Sequence, residues 1–131
     1  MNPLVSYPID KDTPVSHLPF SPAVRVGDLI FVSGQASVDA TGKIVADTFE
    51  GEFRRSVENL RKVLETAGSD LQHVVQMTIY VSEMEHWDRV NKVYAGVMGE
   101  RRPARAIVPV NPLHFGTGIE IQAIAAVREA L

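Results

Sequence analysis

The sequence predicts an α+β domain in which a mixed β-sheet carries two helices on one face. Residues 23–32, 74–81 and 103–126 hold β-branched or alternating apolar runs, whereas residues 47–67 and 82–97 repeat apolar side chains at steps of three and four. The resulting order is β-hairpin, helix, strand, helix, strand, strand, which packs helices against a sheet. With 131 residues and no internal repeat or linker, residues 1–131 read as one domain, long enough to bury an adequate core without cross-links.

Pro8, Pro14, Pro19 and Pro22 keep the first segment irregular. Ala23–Val26 and Leu29–Val32 then flank Gly27-Asp28, and glycine at the first central position suits a type II′ hairpin turn. The second strand is apolar on both faces and runs into Ser33-Gly34-Gln35. The first helix is expected to start at Asp47, which forms a capping-box-like pair with Glu50. Its core face is Phe49, Phe53, Val57, Leu60, Leu64 and Ala67, closed by Gly68. Val74–Val81 reads as a β-branched strand. Ser82 with Glu85 marks a second helix striped by Trp87, Val90, Tyr94 and Val97. Asn91 lies at the margin of that stripe, where an amide either makes a structural hydrogen bond to a loop or lines a pocket.

Two helices cover one side of such a sheet. The last strands alternate Val, Ile and Ala on both faces, so a monomer would leave the second face uncovered, and an oligomer resolves this. Charged residues on that face would then lie at subunit boundaries, where small ligands often bind.

Composition removes several function classes. There is no cysteine, hence no disulfide, thiolate nucleophile or thiolate metal site. His17, His73, His86 and His114 lack metal-ligand spacing and read as loop, edge or surface residues, so neither metal nor cofactor is expected. The net charge is −3, and the basic pairs Arg54-Arg55, Arg61-Lys62 and Arg101-Arg102 are scattered among acids, which argues against a nucleic-acid partner. No apolar N-terminal stretch resembles a signal peptide or membrane span, so the expected location is cytoplasmic, without a membrane role.

The most informative stretch is the last quarter. Pro103–Val110 and Gly118–Ala125 each carry one charge, Arg105 and Glu120, in an otherwise apolar strand. Alternation puts Arg105, Ile107 and Pro109 on one face of the first, and Glu120, Gln122, Ile124 and Ala126 on one face of the second. If these strands pair, both charges can face the same side. An ionised group in such a setting needs a partner or a ligand, so Arg105 and Glu120 form either a cross-strand salt bridge or part of a site.

Five blocks together resemble the RidA/YjgF family of reactive-intermediate deaminases, also labelled endoribonuclease L-PSP. They are Pro19–Val24, Gly27–Gln35, Val90–Tyr94, Pro103-Ala104-Arg105 and Ile119–Ala125, in the family order across roughly residues 19 to 127. The resemblance implies a chorismate-mutase-like fold and a homotrimer whose sheets form a central barrel, with clefts between subunits. It implies cofactor-free hydrolysis of enamines and imines, such as 2-aminoacrylate and 2-imino acids, to 2-keto acids and ammonia. On that reading Arg105 clamps the substrate carboxylate and Glu120 manages water and protons. Ser33 and the Gly34 amide hold the polar end, and Asn91, Phe20 and Ile107 line the pocket. Phe20 stands where the family often has tyrosine and Ile107 where deaminases often have cysteine, which implies a drier pocket, more tolerant of apolar side chains. Pro109–His114, with two prolines and a histidine, lies near the expected mouth. Two other functions fit the residues: a sensor or partner protein that binds small carboxylates through Arg105 without turnover, and a ribonuclease, which the acidic balance disfavours.

Overall fold

The structure, a computed structural model, describes residues 4–8, 19–83, 85, 87–113 and 116–128. The expectations for Pro14, His17, His86 and His114 lie outside those residues. Among the described residues six strands form one sheet: β1 (Val5–Ser6), β2 (Ala23–Val26), β3 (Leu29–Gln35), β4 (Val74–Val81), β5 (Ala104–Pro109) and β6 (Ile119–Ala126). Two helices, α1 (Phe49–Thr66) and α2 (Trp87–Met98), complete the α+β, chorismate-mutase-like architecture.

The hairpin forms as expected, with Val26 opposite Leu29 and Gly27 at φ 58°, the positive value its turn position requires. The α1 stripe is buried throughout: Phe53, Leu60 and Leu64 are fully covered, and Phe49, Val57 and Ala67 nearly so. Gly68, at φ 90°, ends it. The start differs by one residue from the expectation. Thr48, not Asp47, is the N-cap, its hydroxyl accepting the Gly51 N–H at 3.1 Å, because Thr48 has the extended backbone a cap needs. Helix α2 begins at Trp87 rather than after Ser82, and Trp87 is exposed while Val90, Val93, Tyr94 and Met98 fill the core.

The strand order is β1-β2-β3-β6-β4-β5. Strands β4 and β5 run parallel, the α2 crossover joining them, and all other pairings are antiparallel. The last two strands therefore do not pair, because β4 separates them. The physical reason lies in β6: Ile119, Ile121, Ala123 and Ala125 are 0, 0, 4 and 0 % exposed, an apolar face that needs the middle of the sheet beneath α1. The opposite face is uncovered, with Val26, Leu29 and Phe31 still 40, 42 and 43 % exposed.

At the end of the molecule where α1 stops, His73 Nδ1 lies 2.6 Å from Asp70 Oδ1 and Arg128 Nη1 lies 3.8 Å from Asp70 Oδ2. Partial burial raises the Asp70 pKa, but the hydrogen bond to His73 and the charges of His73 and Arg128 outweigh it and leave the carboxyl below its ordinary 3.8. A depressed carboxylate adds stability above its unfolded pKa and loses it as pH falls through the folded value. Asp70→Asn is therefore predicted to be less stable than the parent at neutral pH, with the gap closing between about pH 5 and pH 2. Urea unfolding across that range checks this, and a gap that stays constant would show that the carboxylate carries no such linkage.

Candidate functional site

The register of the sheet decides where each charged side chain points. Arg105 sits opposite Met77 and Ile107 opposite Ile79, both fully buried beneath the helices, so Arg105 and Ile107 share the helix face. Glu120 sits opposite Tyr80, on the uncovered face. Arg105 and Glu120 thus lie on opposite faces with β4 between their strands, and among the described residues no ion pair joins them. This overturns both the shared face and the cross-strand salt bridge.

One group of residues gathers at the β5 edge. The Arg105 guanidinium lies over the Tyr94 ring, 4.8 Å from its centroid, and Nη2 donates to Asn91 Oδ1 at 2.7 Å. Asn91 and Tyr94 reach it together because they are three residues apart on α2. The ring fixes the guanidinium plane and the amide takes one N–H, so the remaining donors of an exposed fork are presented to solvent. Such a fork matches a planar carboxylate in geometry and charge.

The second group forms where β3 meets β6. Val32 pairs with Ala123 but Gln35 with Ile121, so Ser33-Gly34 carries an extra residue, a bulge within β3 rather than a turn that ends the strand. Bulges re-aim side chains, and here Gly34 comes against Glu120. A Cβ on Gly34 would lie 2.9 Å from both Glu120 Cδ and Oε1, so any larger residue would displace that carboxylate. Ser33 Oγ donates to the Ser21 carbonyl at 2.5 Å, which leaves the hydroxyl oxygen as an acceptor. A cavity of about 620 Å³ opens beside the bulge toward α1, lined in part by Phe20, Pro22, Ser33, Gly34, Asn59 and Val63. Its described lining does not include Arg105, Asn91, Ile107 or Glu120.

One chain therefore brings Arg105, Asn91 and Ile107 to one place; elsewhere Gly34 joins two surroundings, the Glu120 carboxylate against it and the cavity it lines with Phe20 and Ser33. Sequence reasoning missed Tyr94 as the platform for Arg105, since a tyrosine at helical spacing reads as core; its i+3 offset from Asn91 was the available signal. Among the described residues no group of three His, Asp or Glu side chains is placed to hold a metal, and no helix is long and apolar enough to cross a membrane.

Tyr94 has a further property. Its hydroxyl is buried without a hydrogen-bond partner among the described residues, and this burial raises its pKa against the opposing effect of the Arg105 charge. An unmet buried hydroxyl costs ~1–3 kcal/mol. Tyr94→Phe, which keeps the ring beneath Arg105, is predicted to gain about 1 kcal/mol in chemical unfolding. A loss of stability would show that the hydroxyl is bonded in solution.

Comparison with known proteins places the fold and the family. The family model described as Endoribonuclease L-PSP matches residues 10–127. A RutC family protein of Pyrococcus abyssi is 40 % identical over 108 residues, 82 % of this chain and 85 % of the relative. Among solved structures, a protein of unknown function from the conserved Rid family in Yersinia pestis superposes with TM-score 0.86 at 30 % identity, covering 94 % of this chain and 99 % of that one. The E. coli YjgF product superposes with TM-score 0.83 at 31 % identity, covering 94 % and 99 %.

Proposed function

We propose that this chain, which belongs to the endoribonuclease L-PSP (RidA/YjgF) family, hydrolyses small reactive enamines and 2-imino acids to 2-keto acids and ammonia in clefts shared between copies of itself. The observation that carries this reading is the held Arg105 fork: exposed at a sheet edge, stacked on Tyr94, bonded to Asn91, and paired with no carboxylate among the described residues. An arginine so prepared is suited to a ligand that carries a carboxylate, and every 2-imino acid does.

With the carboxylate clamped, the adjacent imine carbon is fixed in position. The Glu120 carboxylate, given room by Gly34, would orient a water toward that carbon and accept its proton. The water oxygen bonds to the iminium carbon as Glu120 takes one proton, that proton passes to the nitrogen, and as the carbon–nitrogen bond breaks to release ammonia the new hydroxyl gives its remaining proton to Glu120, leaving the ketone. The Ser33 hydroxyl oxygen can accept from the iminium N–H. Water attack on an iminium is intrinsically feasible, so positioned charge suffices and no nucleophilic side chain is required. Phe20 and Ile107 would form apolar walls of the cleft.

The two groups are separated within one chain, so this mechanism needs the Arg105 group of one copy to face the Glu120 group of another. The uncovered sheet face supplies a surface for that contact. A homotrimer is the predicted assembly, and light scattering that gave a monomer mass at micromolar concentration would remove the shared cleft. The carboxylate-sensor reading has one observation in its favour: the Arg105 group is complete without Glu120.

Arg105→Ala separates structure from function. Arg105 is exposed and, among the described residues, makes a cation–π contact and one hydrogen bond, so its loss is predicted to cost about 1 kcal/mol of stability or less. The loss of the carboxylate clamp should lower kcat/KM for keto-acid release from freshly generated 2-aminoacrylate by roughly two orders of magnitude or more. Release from the parent no faster than the spontaneous rate, with tight binding of pyruvate retained, would favour the sensor instead.

A further inference from the structure

Glu52 lies in the first turn of α1, on the face that buries Phe49, Phe53 and Ser56, and is 7 % exposed. Carboxylates seldom occupy such positions. Its Oε1 accepts the Gly118 N–H at 2.9 Å, and Oε2 faces the Asp47 N–H at 3.4 Å. Among the described residues no cation forms a salt bridge with it. The backbone donors and the positive end of α1 offset its burial.

The Gly118 carbonyl in turn accepts the Ser82 N–H at 3.2 Å. One residue just before β6 is thus held from both sides, by α1 through its N–H and by the end of β4 through its C=O. The next residue, Ile119, is fully buried, and the one after it, Glu120, points to the opposite face. Glu120, two residues from Gly118, lies against Gly34, so a peptide turned at Gly118 would move the Glu120 carboxylate relative to the bulge. We propose that Glu52 is a positioning residue that sets the place of the Glu120 carboxylate by holding Gly118. This rests on the reading of Glu120 given above.

Glu52→Gln keeps size and an acceptor oxygen, whereas Glu52→Leu keeps bulk and removes the acceptor. In the full assembled chain, the Glu120 carboxyl carbon resonance, followed through its titration by NMR, should coincide for parent and Gln variant and move for Leu. The Leu variant should also lose roughly tenfold to a hundredfold in kcat with KM changed by less than about threefold, while Gln stays within about twofold of the parent. A folded Leu variant with an unmoved Glu120 resonance and parental kcat would make Glu52 merely structural and overturn the proposal. The parent supplies a test that needs no variant: the Gly118 amide, outside β6 itself, should resist hydrogen exchange like the core strands, and rapid exchange overturns the proposal even if Leu fails to fold. If the parent shows no turnover, the catalytic reading of Glu120 falls, while the resonance and the exchange still decide whether Glu52 holds it.

Discussion

The burial of one face of β6 is the constraint on which the rest of the molecule depends. Four side chains, Ile119, Ile121, Ala123 and Ala125, find full cover only in the middle of the sheet under α1. Once β6 takes that place between β3 and β4, β5 is left at the edge beside β4, and α2 must cross over to reach it. The same placement turns Glu120 to the uncovered face and lets Arg105 lean against α2. The positions of the proposed site residues are therefore by-products of core formation, which is why they can be exposed and still well defined.

Much of this was legible in the sequence, and the rest failed for definable reasons. The α1 stripe, the Gly27 hairpin and the limits of β4 follow from local periodicity and turn chemistry, and the structure reproduces them. Alternation also correctly separated the two faces of β6. It says nothing about neighbours, however, so the sequence leaves the pairing of the last two strands open, and the interposed β4 puts Arg105 and Glu120 on opposite faces. The Ser33-Gly34 bulge was equally invisible, because it exists only in the register against β6. Thr48 took the cap from Asp47 because both are competent capping residues and only the backbone decides between them.

The family match settles lineage more than chemistry. What speaks to chemistry is the contrast between the two charged groups. Arg105 is held by an aromatic ring and an amide, neither of which neutralises it. Glu120 rests in a gap that exists because residue 34 has no side chain. Among the described residues neither charge meets an ion-pair partner, which leaves both able to act on a bound ligand. Two other arginines behave differently: Arg89 binds Glu50 in a fork, and Arg61 lies between Glu58 and Glu65 along α1. Those cations are spent on their own chain.

The interposed β4 also has a genetic consequence. If the cleft joins the Arg105 group of one copy to the Glu120 group of the next, a chain damaged in either group still carries the other intact. Two inactive alleles, one altered at Arg105 and one at Glu120, would then complement each other in mixed assemblies, because some boundaries would join an intact arginine side to an intact glutamate side. Two alleles altered in the same group could not. A cell carrying one defective copy would likewise lose clefts according to how chains mix.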